Sequence, residues 1–277
     1  MMKVAALSAV LLLALAACDN SIQPMVEGSE GTLFIYGFLD SAADSQFVRL
    51  DGVRIAALGD RPDLSTVRLS STDDSGETVD WIYQGATFED GSTGHNFLGL
   101  FRPVEGGRYA LQARSTDGRV TEASTTIPVR PPISPDPPRG DTLQIVQKIR
   151  LSGLERSPLR VIVQYEVQAP ESPEAVSVSV DYGDRGSLSA DGWDFDVFLK
   201  RDHPTVMAGI ARNVRDRDVA LLSIGVRAEL LSAEWDEPHT ARNITGGRGF
   251  FGAVGRYDLG WTLEPAVVAT IGFVDGQ

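Results

Sequence analysis

Three sets of residues in this chain of 277 have the types and spacing to do chemistry. The first is Cys18, the only cysteine, which ends the run Leu15-Ala16-Ala17-Cys18. Its thiol can be alkylated to carry diacylglycerol, and small residues at Ala16 and Ala17 suit the groove of a processing peptidase. The second is Trp193-Asp194-Phe195-Asp196. On a strand, Asp194 and Asp196 point the same way, about 6.6 Å apart along the backbone. Paired carboxylates at such separations can run glycoside hydrolysis. Acids alternating on one strand are more often a wet face, and catalytic pairs normally come from different elements, so we read them as solvated. The third is the set Trp81, Trp193, Trp235 and Trp261, which could line a sugar- or peptide-binding face. Large rings also fill sandwich cores, and filler is the reading we prefer.

Other chemistry finds less support. His95, His203 and His239 share no metal-ligand spacing, and no cysteine is spare, so no zinc site is expected. Asp73-Asp74-Ser75-Gly76 and the pair Asp181 and Asp184 could offer oxygens to calcium. The spaced ligands and distal glutamate of a calcium loop are missing, and these acids read as turns. The glycine-rich run 246–252 lacks the Lys-Ser/Thr end of a phosphate loop, and no Gly-x-Ser-x-Gly elbow occurs. Asn243-Ile244-Thr245 matches a glycosylation sequon by composition alone. The sequence thus predicts no metal, no cofactor and no enzymatic centre. A formal net charge of −13 makes nucleic acid a poor partner, because phosphates need a basic footprint.

The elements that must position these residues begin with a leader. Met1-Met2-Lys3 and the apolar residues 4–17 look like the signal peptide and lipobox of a bacterial lipoprotein. The rival reading, a membrane-spanning helix, fails on length: those fourteen residues reach roughly 21 Å against a hydrocarbon core of ~30 Å. Residues 1–17 are expected to be removed and Cys18 acylated, with two or more chains giving a stable anchor. Polar residues 18–30 read as a lipidated flexible tether. With Cys18 modified no disulfide is available, so packing must hold the exported part together.

Glycine and proline are plentiful, and no long helical pattern appears. Residues 31–129 carry short apolar runs broken by turn signals such as Glu105-Gly106-Gly107 and Asp117-Gly118. Residues 33–39 are nearly continuous in apolar side chains, as in a strand buried on both faces. This spacing predicts an immunoglobulin-like or transthyretin-like sandwich. Residues 128–138 hold six prolines in eleven positions. Residues 130–140 are therefore expected to be a semi-rigid linker or a crossing strand, never a central one. Residues 141–277 alternate strongly: Val161, Val163, Tyr165 and Val167, then Val176, Val178, Val180 and Tyr182, then Ala220, Leu222, Ile224, Val226, Ala228 and Leu230. One wet face and one dry face predict antiparallel sheet. The best helix candidate spans 203–215. The expected fold is all-β, two antiparallel β-sandwich domains with few short helices.

The run Asn243-Ile244-Thr245-Gly246-Gly247-Arg248-Gly249-Phe250-Phe251-Gly252-Ala253 suggests tightly turning backbone while two rings fill a core gap. With Pro238 and the stripe before it, this run resembles the closing motif of the bacterial lipoprotein family called domain of unknown function 4249. Residues 33–39, Gly107-Arg108-Tyr109-Ala110-Leu111 and Thr125-Thr126-Ile127-Pro128 resemble that family too. The resemblance covers essentially the whole mature chain. It implies a lipid-anchored envelope protein, at the outer membrane, accessory to a TonB-dependent receptor or binding its substrate. The alternatives are a structural or adhesive spacer and a glycan hydrolase using Asp194 and Asp196.

Overall fold

A computed structural model describes residues 33–52, 63–87, 93–141, 143–170, 172, 174–210, 218–235 and 243–276. Cys18, the leader, the tether and His239 lie outside them. The first part folds as β1 (Leu33–Asp40), β2 (Gln46–Gly52), β3 (Arg68–Asp73), β4 (Thr78–Asp80), β5 (Ile82–Thr87), β6 (Thr93–Gly99), β7 (Arg108–Arg114) and β8 (Val120–Thr126). Next come β9 (Ile133–Pro135), β10 (Arg139–Gly140), β11 (Ile145–Ser152), β12 (Arg160–Gln168), β13 (Val176–Gly183), β14 (Ser187–Ser189) and β15 (Gly192–Phe198). Helix α1 (Leu199–Gly209) precedes β16 (Ala220–Leu231), β17 (Ile244–Thr245) and β18 (Gly247–Trp261), and α2 (Pro265–Ile271) and β19 (Val274–Asp275) follow. The described residues are all-β with two short α-helices, built as two sandwiches.

Each sandwich has its own core. Ile35, Leu50, Leu69, Phe97 and Leu111 pack the first, between the sheet of β17, β8, β7, β3 and β4 and the strands β1, β2, β6 and β5. Ile149, Val163, Tyr165, Trp193 and Val226 pack the second, joined by Val206 of α1 and Val268 of α2. Trp81 sits where the chain passes from β4 in one sheet to β5 in the other, with its ring 6% exposed.

One strand belongs to both cores. β18 runs parallel to β1 from Gly247 opposite Leu33 to Val254 opposite Asp40. From Val254 opposite Leu231 to Trp261 opposite Ile224, it runs antiparallel to β16. Phe251 and Ala253 therefore fill the first core, while Leu259 and Trp261 pack on the second. The result is a single nine-stranded sheet through both halves. At the handover, the Arg256 guanidinium reaches Asp40 at 2.6 Å and Glu229 at 3.2 Å, and Arg256 N–H donates to Ser41 Oγ at 2.9 Å. Residues 243–254 thus complete the first sandwich rather than lying wholly in the second, as the 141–277 boundary expected.

Four further differences have physical causes. β1 is buried on one face only, because no layer among the described residues covers its outer face: Tyr36 and Phe38 are exposed while Leu33, Ile35 and Leu39 are buried. The proline-rich stretch is pinned rather than free: β9 pairs with β11 from Ile149 opposite Pro135 to Leu151 opposite Ile133, and β10 pairs with β11 near its start. Proline is tolerated there because these are edge positions. The helix begins earlier than expected, at Leu199, because Leu199, Asp202 and Val206 share a buried face; residues 211–217 lie outside the described residues. A register shift opposite Glu166 and Val167 changes the phase of β16, so Leu221 rather than Leu222 is buried.

Gly249 has φ +115°, and a Cβ there would stand 2.1 Å from the Ile35 carbonyl oxygen of β1. Close backbone approach and a left-handed φ both demand glycine. Gly249→Ala should cost at least about 2 kcal/mol in denaturant unfolding. Gly260→Ala, whose new Cβ meets nothing nearer than Ile224 O at 3.9 Å, should stay within about 0.5 kcal/mol.

Candidate functional site

The outer face of β1 is the most unusual surface of the molecule. Period two sends Leu33, Ile35 and Leu39 inward and Phe34, Tyr36 and Phe38 outward. Phe34 and Tyr36 stack, with ring centroids 6.0 Å apart and planes at 4°. Phe38 stands opposite Phe47 of β2, Phe47 opposite Leu98 of β6, and Leu98 opposite Ile82 of β5. An apolar row thus crosses four strands, and Phe38, Phe47 and Ile82 are 42%, 55% and 51% exposed. On the other side of β1, Phe38 faces Gly252, whose missing side chain leaves room for the Trp235 ring; a Cβ there would lie 2.6 Å from Trp235 Nε1. Trp235 packs edge-on to Phe250 at 4.4 Å and tilts against Phe38 at 5.9 Å, and its Nε1–H donates to Ala253 O at 3.0 Å. Rings held this way form a rigid patch of the kind that monomers seldom leave in water.

The remaining tryptophans are filler. Trp81 donates Nε1–H to Ser71 Oγ at 3.0 Å, and Trp193 is fully buried against Phe195 at 5.2 Å. Trp261, half-buried, donates to Gln147 Oε1 at 3.2 Å. Phe250 and Phe251 do not both fill a core gap: adjacent positions on β18 face opposite ways, so Phe251 is buried while Phe250 joins the outer aromatic face.

Asp194 and Asp196 share one face of β15, as period two requires. Opposite them on β11 stand Arg150 and Lys148. Asp194 lies 3.5 Å from Lys148 Nζ and 3.7 Å from Arg150 Nε, while Arg150 also reaches Asp136 at 3.1 Å. This carboxylate is tied up in a cross-strand ion network. Lys148, Asp194 and Asp196 help line a cavity of about 410 Å³ beside α1.

Beneath that cavity lies a buried acid which sequence reading passed over. Asp202 Oδ2 accepts from Tyr165 OH at 2.8 Å and Tyr182 OH at 2.7 Å, and Phe198 N–H donates to the Tyr182 oxygen at 2.9 Å. Burial holds the Asp202 carboxyl above its ordinary value near 3.8, although both tyrosines oppose the shift by hydrogen bonding. Burial also pushes both tyrosine hydroxyls up. The signal was available: an aspartate on the apolar stripe of a helix, with two tyrosines at inward strand positions.

The two described histidines lie apart, one in each sandwich. His95, buried, shares a hydrogen bond with Tyr83 OH at 3.0 Å, and His203 packs on Phe273 at 4.6 Å. Among the described residues no group of three or more His, Cys, Asp or Glu could hold a metal, and no helix is long and apolar enough to cross a membrane. Asp73 caps its own turn, accepting from Ser75 N–H and Oγ–H and from Glu77 N–H. Asn243 Nδ2–H donates to Ser124 O at 2.9 Å and to Phe251 O, fastening the glycine-rich run to β8.

No family model matches the sequence, and no curated protein matches it. Among solved structures the chain is similar to a pullulanase from Anoxybacillus sp. LM18-11, at 10% identity and TM-score 0.24, over 71% of this chain and 24% of that one. A two-domain fibronectin type III segment from chicken tenascin is 13% identical with TM-score 0.20, over 84% of this chain and 98% of that one. The calcium-binding domain CBD12 of CALX1.1 is 13% identical with TM-score 0.21, over 74% and 82%. The chain spans about a quarter of the pullulanase's length, and none of the three likenesses carries an argument about function.

Asp202 makes stability depend on pH. An acid whose folded pKa is raised favours folding while it is protonated, and that advantage fades as pH climbs from its unfolded value through its folded one. In urea unfolding, Asp202→Asn should gain relative to the parent as pH rises above about 4, the ordinary value of the carboxyl, and the gain should level off once the folded carboxyl has ionised. Asp202→Ala, which leaves two buried hydroxyls without an acceptor, should lose about 1–3 kcal/mol per hydroxyl.

Proposed function

We propose that this is a lipid-anchored protein of the bacterial envelope that works by binding, and that it docks a protein partner on the aromatic face of its first sandwich. The single observation carrying this reading is the continuous apolar row Phe38, Phe47, Leu98 and Ile82, flanked by Tyr36, Phe250 and Trp235. Burying a phenylalanine that now stands in water gains about 1.5–3 kcal/mol, enough for two or three such rings to anchor a complex. A mere spacer needs no such surface. The leader and Cys18 support anchoring, and the resemblance to domain of unknown function 4249 favours a TonB-dependent outer-membrane receptor as the partner. The tie between Asp194 and its two cations supports binding over hydrolysis.

Cys18→Ser should move the protein from the membrane pellet to the soluble fraction. Full-length protein purified from detergent-solubilised envelopes should bring down a TonB-dependent receptor, identified by mass spectrometry. Phe38→Ser with Phe47→Ser should cut that recovery at least about tenfold without lowering the thermal midpoint, since both rings are exposed. Repeated purifications without any such receptor sink the partner assignment.

A further inference from the structure

The second sandwich holds a cavity of about 410 Å³ that has no counterpart in the docking reading and does not depend on it. It opens where β15 outruns its neighbour: β14 pairs only with Gly192, Trp193 and Asp194, so the strand edge from Phe195 onward faces Tyr182, the turn at Arg185 and the start of α1. Two arginines stand in its wall. The Arg201 guanidinium lies 4.3 Å over the Phe198 ring and 6.0 Å from that of Tyr182. Such stacking sets the plane of the guanidinium, whose fork of N–H donors matches a carboxylate. Neither Arg201 nor Arg185 has a carboxylate within ion-pair distance among the described residues, in a chain whose net charge is −13. Arg201 leans on the Tyr182 hydroxyl and feels the buried Asp202, and Arg185 feels Asp181, yet neither is closed by an ion pair, so two guanidinium groups on one cavity wall remain able to take an anion from outside.

The other walls narrow its chemistry. Phe198, half-buried, presents an apolar edge, while Ser187 and Asp196 present acceptors for hydroxyl donors; Phe195 turns its ring inward to the core. Asp194 is already engaged by Lys148 and Arg150, so Asp196 is the carboxylate left for a ligand. A bare anion would use the arginines and waste the Phe198 ring and the acceptors. The volume lies in the range of small-ligand sites.

We infer that this cavity binds an acidic saccharide. The sugar carboxylate pairs with Arg185 and Arg201, the C–H face of the ring lies against Phe198, and ring hydroxyls donate to Asp196 and Ser187. No bond is made or broken.

The test is calorimetric titration of the full-length lipidated protein in detergent with trigalacturonate. Its fully methyl-esterified form, an N-acetylated dipeptide with a free carboxylate, and inorganic phosphate serve as the other arms. Trigalacturonate should bind, the ester should bind at least about tenfold more weakly, and added salt should weaken the acid form alone. Arg185→Gln with Arg201→Gln should lose at least about tenfold in affinity, and Asp196→Asn should lose several-fold. Absence of binding, equal affinity for acid and ester, or unchanged affinity in the arginine variant would overturn the inference. Dipeptide or phosphate binding as tightly as the sugar would overturn the saccharide assignment. Should the double variant fail to fold, the comparison of acid with ester on the unaltered protein still decides. Failure here leaves the docking face untouched, because that face lies on the other sandwich.

Discussion

The structure depends on a change of partner within one strand. Up to Val254, β18 takes β1 as its neighbour, and beyond it takes β16. The same backbone therefore borders both halves of the sheet, beside β1 in one sandwich and beside β16 in the other. Arg256 sits at the change, holding the end of β1 through Asp40 and the last stretch of pairing in β16 through Glu229, near that strand's end. Both carboxylates are mostly shielded from water, which strengthens their attraction to the guanidinium and makes its removal costly. The two cores are separate clusters of side chains, yet no element boundary separates them.

That arrangement also creates the aromatic face. Because β18 lies beside β1, Phe250 meets Tyr36 and Gly252 meets Phe38 in the same sheet. The gap over Gly252 seats Trp235, which is thereby fixed to the Ala253 carbonyl. Side chains from three stretches far apart in sequence form one surface, and their rigidity comes from ring-on-ring packing rather than from a covering layer.

Alternation and turn residues made the strand content, the β class and most inward-facing positions of β12 legible, since a period of two needs only local information. Other features turn on who lies beside whom. The apolar run 33–39 reads as doubly buried because periodicity cannot tell a covered outer face from a naked one. Phe250 and Phe251 look equivalent in sequence, and only pairing with β1 separates core from surface. The shift that buries Leu221 in place of Leu222 depends on a bulge against β12. Helix α2 was legible and passed over: Pro265 opens it and Gly272, at φ +116°, closes it. The pair Asp194 and Asp196 was placed on one face by spacing alone, but the cations beside them come from β11, more than forty residues earlier.

The shared strand has a consequence for how the protein is made. Residues emerge from a ribosome or an export channel in order, so the first sandwich arrives long before the strand that completes it. Until residue 254 is available, β1 offers an open edge lined with aromatic rings, and the nascent core lacks Phe251 and Ala253. Such an edge invites pairing with other chains. The early half must therefore wait, incomplete and adhesive, for the late half, and any chaperone that guards this chain in transit has its task set by that delay.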